Sequence, residues 1–167
     1  MDGLTINSIC TELDSVIKPN FRGTYGRDTF ISEWKHNLVG NLNLFFINSE
    51  VIYKQGIHWV LYAFRKDGKI YFYDSIAQQP GFYGLDLFPE HPLITAPYRV
   101  QSSYSNLCSV YCIYIARKLS EGSSLLGSFN IFNQENLIQN DNNLIHWFEN
   151  TNYGRLFEIQ YGNPGKL

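Results

Sequence analysis

The sequence predicts an α+β fold, a mixed central β-sheet packed against one buried helix, in a single domain spanning 1–167. Two runs rich in β-branched and aromatic residues, His58 to Arg65 and Ile70 to Asp74, flank Lys66-Asp67-Gly68-Lys69, and an Asp-Gly between apolar runs signals a hairpin. A third run, Leu107 to Ala116, is apolar on every side of a helical wheel, which describes a helix enclosed within a domain. With 167 residues, 44% of them hydrophobic, the chain has ample material for one core.

In chain order, Ile6, Ile9, Cys10, Leu13, Val16 and Ile17 recur at helical spacing until Lys18-Pro19-Asn20, predicting an amphipathic first helix with Cys10 on its buried stripe. Phe21 to Gly26 reads as a loop, its two glycines serving unusual backbone angles. Leu42 to Ile47, bounded by asparagines, suits a short buried strand. The hairpin follows, and its strands, apolar on both faces, belong inside a sheet covered from each side. Ala77 to Pro97 holds four prolines and is predicted irregular, with a short helical turn near Leu85 to Phe88 and His91 in a surface loop.

Tyr98-Arg99-Val100-Gln101 reads as the end of a strand, Ser102 to Asn106 as a polar loop, and Leu107 onward as the buried helix, capped by Ser105 or Asn106. Ser120 to Ser124 stops that helix. Asn130 to Asn143 reads mostly as loop, Asp141 as the cap of a last helix ending near Asn150-Thr151-Asn152, and Gly162 to Leu167 as a frayed tail.

Thirteen basic against 15 acidic residues give a formal net charge of -2, which does not support nucleic-acid binding through general basicity. No apolar run approaches the roughly 18 residues of a bilayer span, and the first residues do not resemble a secretory signal. A soluble, intracellular, non-secreted protein is therefore expected, with no membrane partner. The three cysteines, Cys10, Cys108 and Cys112, form neither a disulfide framework nor a zinc pattern, so reduced thiols are expected.

Cys108 falls in the first turn of the buried helix, where free N–H groups and the macrodipole favour negative charge. His58 opens the first hairpin strand and Asp74 closes the second, so antiparallel pairing brings them to the same end of the sheet. A thiol, an imidazole and a carboxylate around one helix supply a nucleophile, a base and an orienting partner. Read singly, each also fits an ordinary structural role.

The order His, Asp, Cys, with Gln101 seven positions before Cys108, resembles the adenain family of adenovirus cysteine endopeptidases and the wider clan that includes the SUMO proteases. Further points of resemblance are Gly23-Thr24-Tyr25 with Phe30, Gly56-Ile57-His58-Trp59, Tyr71-Phe72-Tyr73-Asp74, Cys112 one helical turn after Cys108, and a last helix at Leu144 to Glu149. The resemblance implies an adenain/SUMO-protease-like cysteine proteinase fold. It further implies Cys108 as nucleophile, His58 as base and acid, Asp74 as orienting acid and Gln101 as oxyanion donor, with Trp59 and Cys112 as packing residues. The implied activity is a viral endopeptidase cleaving precursor polypeptides at Gly-containing sites during virion maturation, in the host nucleus and the virion.

Several features depart from the family. No cysteine lies between His58 and Gln101 to take a disulfide-linked activating peptide, and the acidic balance counts against DNA stimulation. Ser109 stands where the family has Gly. The expectation is a monomer that requires no cofactor, with a non-covalent peptide activator still open. The alternatives are a protease for ubiquitin-like modifiers, an acetyltransferase using the same triad, and a binding module retaining the fold.

Overall fold

The computed structural model describes residues 1–50 and 58–155. Gly56 and Ile57 of the resemblance, and the Gly162 to Leu167 tail, lie outside the described residues. Five strands form one sheet in sequential order: β1 (Phe21–Gly26), β2 (Leu42–Asn48), β3 (Trp59–Arg65), β4 (Ile70–Tyr73) and β5 (Leu93–Thr95). The pairs β1–β2 and β4–β5 are parallel, whereas β2–β3 and β3–β4 are antiparallel. The helices are α1 (Gly3–Ser8), α2 (Arg27–Glu33), α3 (Cys108–Ser120) and α4 (Leu137–Glu149). This is the expected α+β class, a mixed sheet with a buried helix against it.

Strand alternation divides the core into two layers. Leu44, Phe46, Leu61, Ala63, Tyr71 and Tyr73 face α3, with α1 and α4 completing that layer. Phe45, Ile47, Val60, Tyr62, Phe64, Ile70 and Phe72 face the other way, onto Phe30 of α2 and onto Tyr83 and Leu85. Phe30 stacks on Tyr62 with centroids 5.4 Å apart, and Trp34 stacks on Phe64 at 5.0 Å. Helix α3 is buried from Cys108 to Ala116, matching its apolar run.

The hairpin turn forms as read, with Gly68 at φ +93° and Asp67 accepting from the Lys69 N–H. Other elements differ from expectation. The first helix is short, passing at Ile9–Leu13 into a π-helical turn, although Ile6, Ile9, Cys10 and Ile17 are buried as the stripe requires. Phe21–Gly26 is an edge strand rather than a loop. Gly23, at φ +120°, breaks its register with β2 and so hides the alternation. The helical turn expected near Leu85 to Phe88 lies at Pro80–Tyr83, where proline starts it and Gly84 in the left-handed region ends it. The strand expected at Tyr98 to Gln101 is instead β5, and Tyr98 to Gln101 is irregular chain whose Val100 and Gln101 N–H groups both donate to the Ser75 carbonyl.

Asn136, not Asp141, caps the last helix by accepting from the Gln139 N–H. The helix therefore starts inside the segment read as loop, and Asp141 sits buried within it. Among the described residues no helix is long and apolar enough to cross a membrane.

Because Ile113 is fully buried at the centre of α3, Ile113→Ala is expected to cost about 2–5 kcal/mol, read as a lower urea midpoint at unchanged slope.

Candidate active site

The site forms where the sheet ends and its two layers meet. Leu61 pairs with Tyr73, which places His58 and Asp74 just beyond the paired ends of β3 and β4. There His58 Nε2 lies 2.6 Å from Asp74 Oδ1. An ionised carboxylate only accepts, so Nε2 carries the proton and Nδ1 is left unused by that bond, with Cys108 close enough to help raise the His58 pKa.

The Asp74 side chain is wholly buried and is met by three further donors. Oδ1 accepts from the Ile76 N–H at 3.1 Å, and Oδ2 from the Gln78 N–H at 3.2 Å and the Tyr83 hydroxyl at 2.5 Å. Ala77 adopts φ 60° between those two backbone donors, a strained conformation for a residue with a Cβ, as the chain wraps the carboxylate. The Tyr83 ring also stacks on His58, with centroids 5.7 Å apart. Tyr83 thus holds both members of the pair, and no spacing in the sequence marked it.

Cys108, 6% exposed, is the first residue of α3. The expected cap by Ser105 or Asn106 is not made: Leu107 occupies the cap position without a side-chain bond, held there by its own burial in the core. The positive end of the helix is consequently presented to the sulfur. The Trp59 N–H donates to Cys108 Sγ at 3.4 Å, while Cys112 Sγ donates to the Trp59 carbonyl at 3.5 Å. Trp59 itself packs in the core, and its indole N–H donates to the Met1 carbonyl.

Burial pushes Cys10 and Cys112 far up, so both remain neutral. Burial is the largest influence on His58 and would lower its pKa. Hydrogen bonds to Asp74 and Cys108, together with the charges of both, outweigh it and raise His58 from 6.5 to about 9.

Gln101 is brought to the same place. Its Oε1 accepts from Ser75 Oγ at 2.5 Å, and its Nε2 donates to the Ser105 carbonyl at 2.9 Å. The Ser105 carbonyl, which can only accept, fixes which end of the amide is nitrogen, and the second Nε2 hydrogen is left for another acceptor. Ser75 follows Asp74 directly, so one strand end orients both the imidazole and the amide; no spacing or motif marks Ser75. Among the described residues no cluster of three or more metal-ligating side chains occurs.

No family model and no curated protein matches the sequence. Among solved structures, the chain is similar to a crystal structure of the ASFV pS273R protease, with 15% identity over 83% of this chain and 61% of that one, at a TM-score of 0.47. A Se-Met crystal structure of the same protease has 16% identity over 60% of this chain and 42% of that one, at a TM-score of 0.39. The SUMO protease Ulp1, its catalytic cysteine oxidized to a sulfinic acid, has 14% identity over 83% of this chain and 72% of that one, at a TM-score of 0.47. The chain spans less than two thirds of the ASFV protease in either structure.

The raised His58 pKa carries a sign. Folding favours the imidazolium, so its stabilising contribution is complete below the unfolded value of 6.5 and is lost as pH rises through about 9. An NMR titration of His58 is expected to show a midpoint near 9 that moves to lower pH in Asp74→Asn, where burial is no longer opposed by the carboxylate.

Proposed function

We propose that this chain is a cysteine endopeptidase with Cys108 as nucleophile. The observation that carries this reading is the His58–Asp74 bond of 2.6 Å beside a sulfur seated at the open N-terminus of α3. Three thiols share the protein, and of them Cys108 is the one that acts on an imidazole that an acid in turn orients.

His58 Nδ1 takes the Cys108 thiol proton, Sγ attacks the scissile carbonyl carbon, and the carbonyl oxygen takes up the electron pair. The second Gln101 Nε2 hydrogen and the Cys108 backbone N–H donate to that oxyanion. As the intermediate collapses, the C–N bond breaks, and the His58 imidazolium delivers its Nδ1 proton to the leaving amine. A thioester to Cys108 remains. Water, deprotonated by His58, then adds to the thioester, the carbon–sulfur bond breaks, and the carboxylic acid departs. Asp74 keeps Nε2–H fixed throughout and so directs Nδ1 to the reacting atoms.

The resemblance to adenain supports the finer reading. The substrates would be viral precursor polypeptides cut at Gly-containing sites during virion maturation, in the infected nucleus and the virion. No metal or organic cofactor is needed for the steps above. Any activator would be a peptide bound without a disulfide, and the chain would act as a monomer.

Turnover of a fluorogenic Leu-Arg-Gly-Gly peptide under reducing conditions tests this proposal. Cleavage is expected, abolished in Cys108→Ala, with the alkaline limb of kcat/KM falling near pH 9 as His58 loses its proton. Cleavage that persists in Cys108→Ala, or iodoacetamide labelling that falls on Cys10 or Cys112 before Cys108, would overturn the assignment. Gln101→Ala is expected to lower kcat by about a hundredfold or more, as loss of an oxyanion donor does.

A further inference from the structure

Besides Asp74, two aspartates are buried, and they lie in opposite settings. Asp14, near the far end of α3, accepts from the Val16 and Ile17 N–H groups and is paired with Arg117 at 3.1 Å, a compensated structural carboxylate. Asp141, on α4, has no ion pair among the described residues although it is only 6% exposed. A buried carboxylate without a cation is costly to desolvate, and hydrogen bonds must offset that cost.

The donors to Asp141 come from two different pieces of the site. Ser102 gives its hydroxyl to Oδ2 at 2.5 Å and its N–H to Oδ1 at 3.4 Å. Tyr111, one turn beyond Cys108 on α3, gives its hydroxyl to Oδ1 at 2.7 Å. The neighbouring Asn140 on α4 adds a bond from Nδ2 to the Val100 carbonyl at 3.1 Å. Gln101 lies between the two residues so held, Val100 and Ser102.

We propose that Asp141 is a positioning residue: its carboxylate ties the segment carrying Gln101 to the helix carrying Cys108, and so sets the spacing of the two oxyanion donors. This rests on the peptidase reading above. Asp141 touches neither the nucleophile nor the base. Its loss therefore acts on the stabilisation of the oxyanion and leaves the thiol–imidazole pair intact. An apolar residue at 141 would fill the same space without desolvating a charge; what it would lack is a directional grip on both partners at once.

Asp141→Asn is expected to lower kcat on the Leu-Arg-Gly-Gly peptide about tenfold or more, while KM and the iodoacetamide rate at Cys108 move less than twofold. Ser102→Ala, which leaves the Tyr111 bond in place, is expected to lose about threefold in kcat with the same unchanged alkylation, and it decides the matter should Asp141→Asn fail to fold. A kcat within twofold of the parent, or alkylation falling in step with kcat, overturns the proposal. The crystal structure of the variant is independent of activity: Gln101 displaced from Ser75 and Ser105 supports the proposal, and Gln101 unmoved overturns it. A parent chain that shows no Cys108-dependent turnover overturns the peptidase reading instead.

Discussion

The site depends on one buried carboxylate. Asp74 lies at the end of β4, where the sheet can no longer supply ladder partners, and its charge is held there by four donors from three directions. Taking such a group out of water costs several kcal/mol, and the strained backbone at Ala77 adds to that cost. Burial alone would lower the His58 pKa; Asp74 and Cys108 together outweigh it, so the imidazolium is retained across neutral pH. The hairpin, the turn after it and the Tyr83 ring are all arranged to satisfy this single group.

The same strand end has a second consequence through Ser75. Its hydroxyl orients the Gln101 amide, and its carbonyl receives the Val100 and Gln101 N–H groups, so the chain leaving β5 is fastened to the residue next to Asp74. Both His58, the candidate base, and Gln101, the candidate oxyanion donor, thereby take their positions from the dipeptide 74–75. A shift of β4 by one residue would turn both away, since strand neighbours face opposite sides. The central place of β4 between β3 and β5 resists that slip.

What could be read from the sequence follows from how local each signal is. The β3–β4 hairpin was legible because Asp67-Gly68 fixes the turn and the flanking runs are apolar throughout. With the turn known, the proximity of His58 and Asp74 followed from register. Helix α3 was legible because nine consecutive buried positions leave no exposed face along them. Strand β1 was not, because Gly23 interrupts its pairing, and β5 was not, because three half-buried residues among prolines carry no period. Asp141 differs from its expected place as a cap for a related reason. A short acid near a helix start looks like a cap, and only the tertiary contact with Ser102 and Tyr111 shows that it is gripping another element. Tyr83 and Ser75 have the same character, since each acts through a partner that folding alone brings near.

The distinction among the thiols shows how much one peptide group can decide. Cys108 and Cys112 are one turn apart on the same helix face, and Trp59 runs beside both. Its N–H points at Cys108 and its carbonyl at Cys112. A sulfur facing a donor is stabilised when it carries negative charge; a sulfur facing an acceptor must keep its proton to make the bond. Burial reinforces the second case by pushing Cys112 well up. Strand β3 therefore turns opposite ends of one peptide group toward two cysteines that the helix alone would treat alike, and it does so with the residue directly after His58.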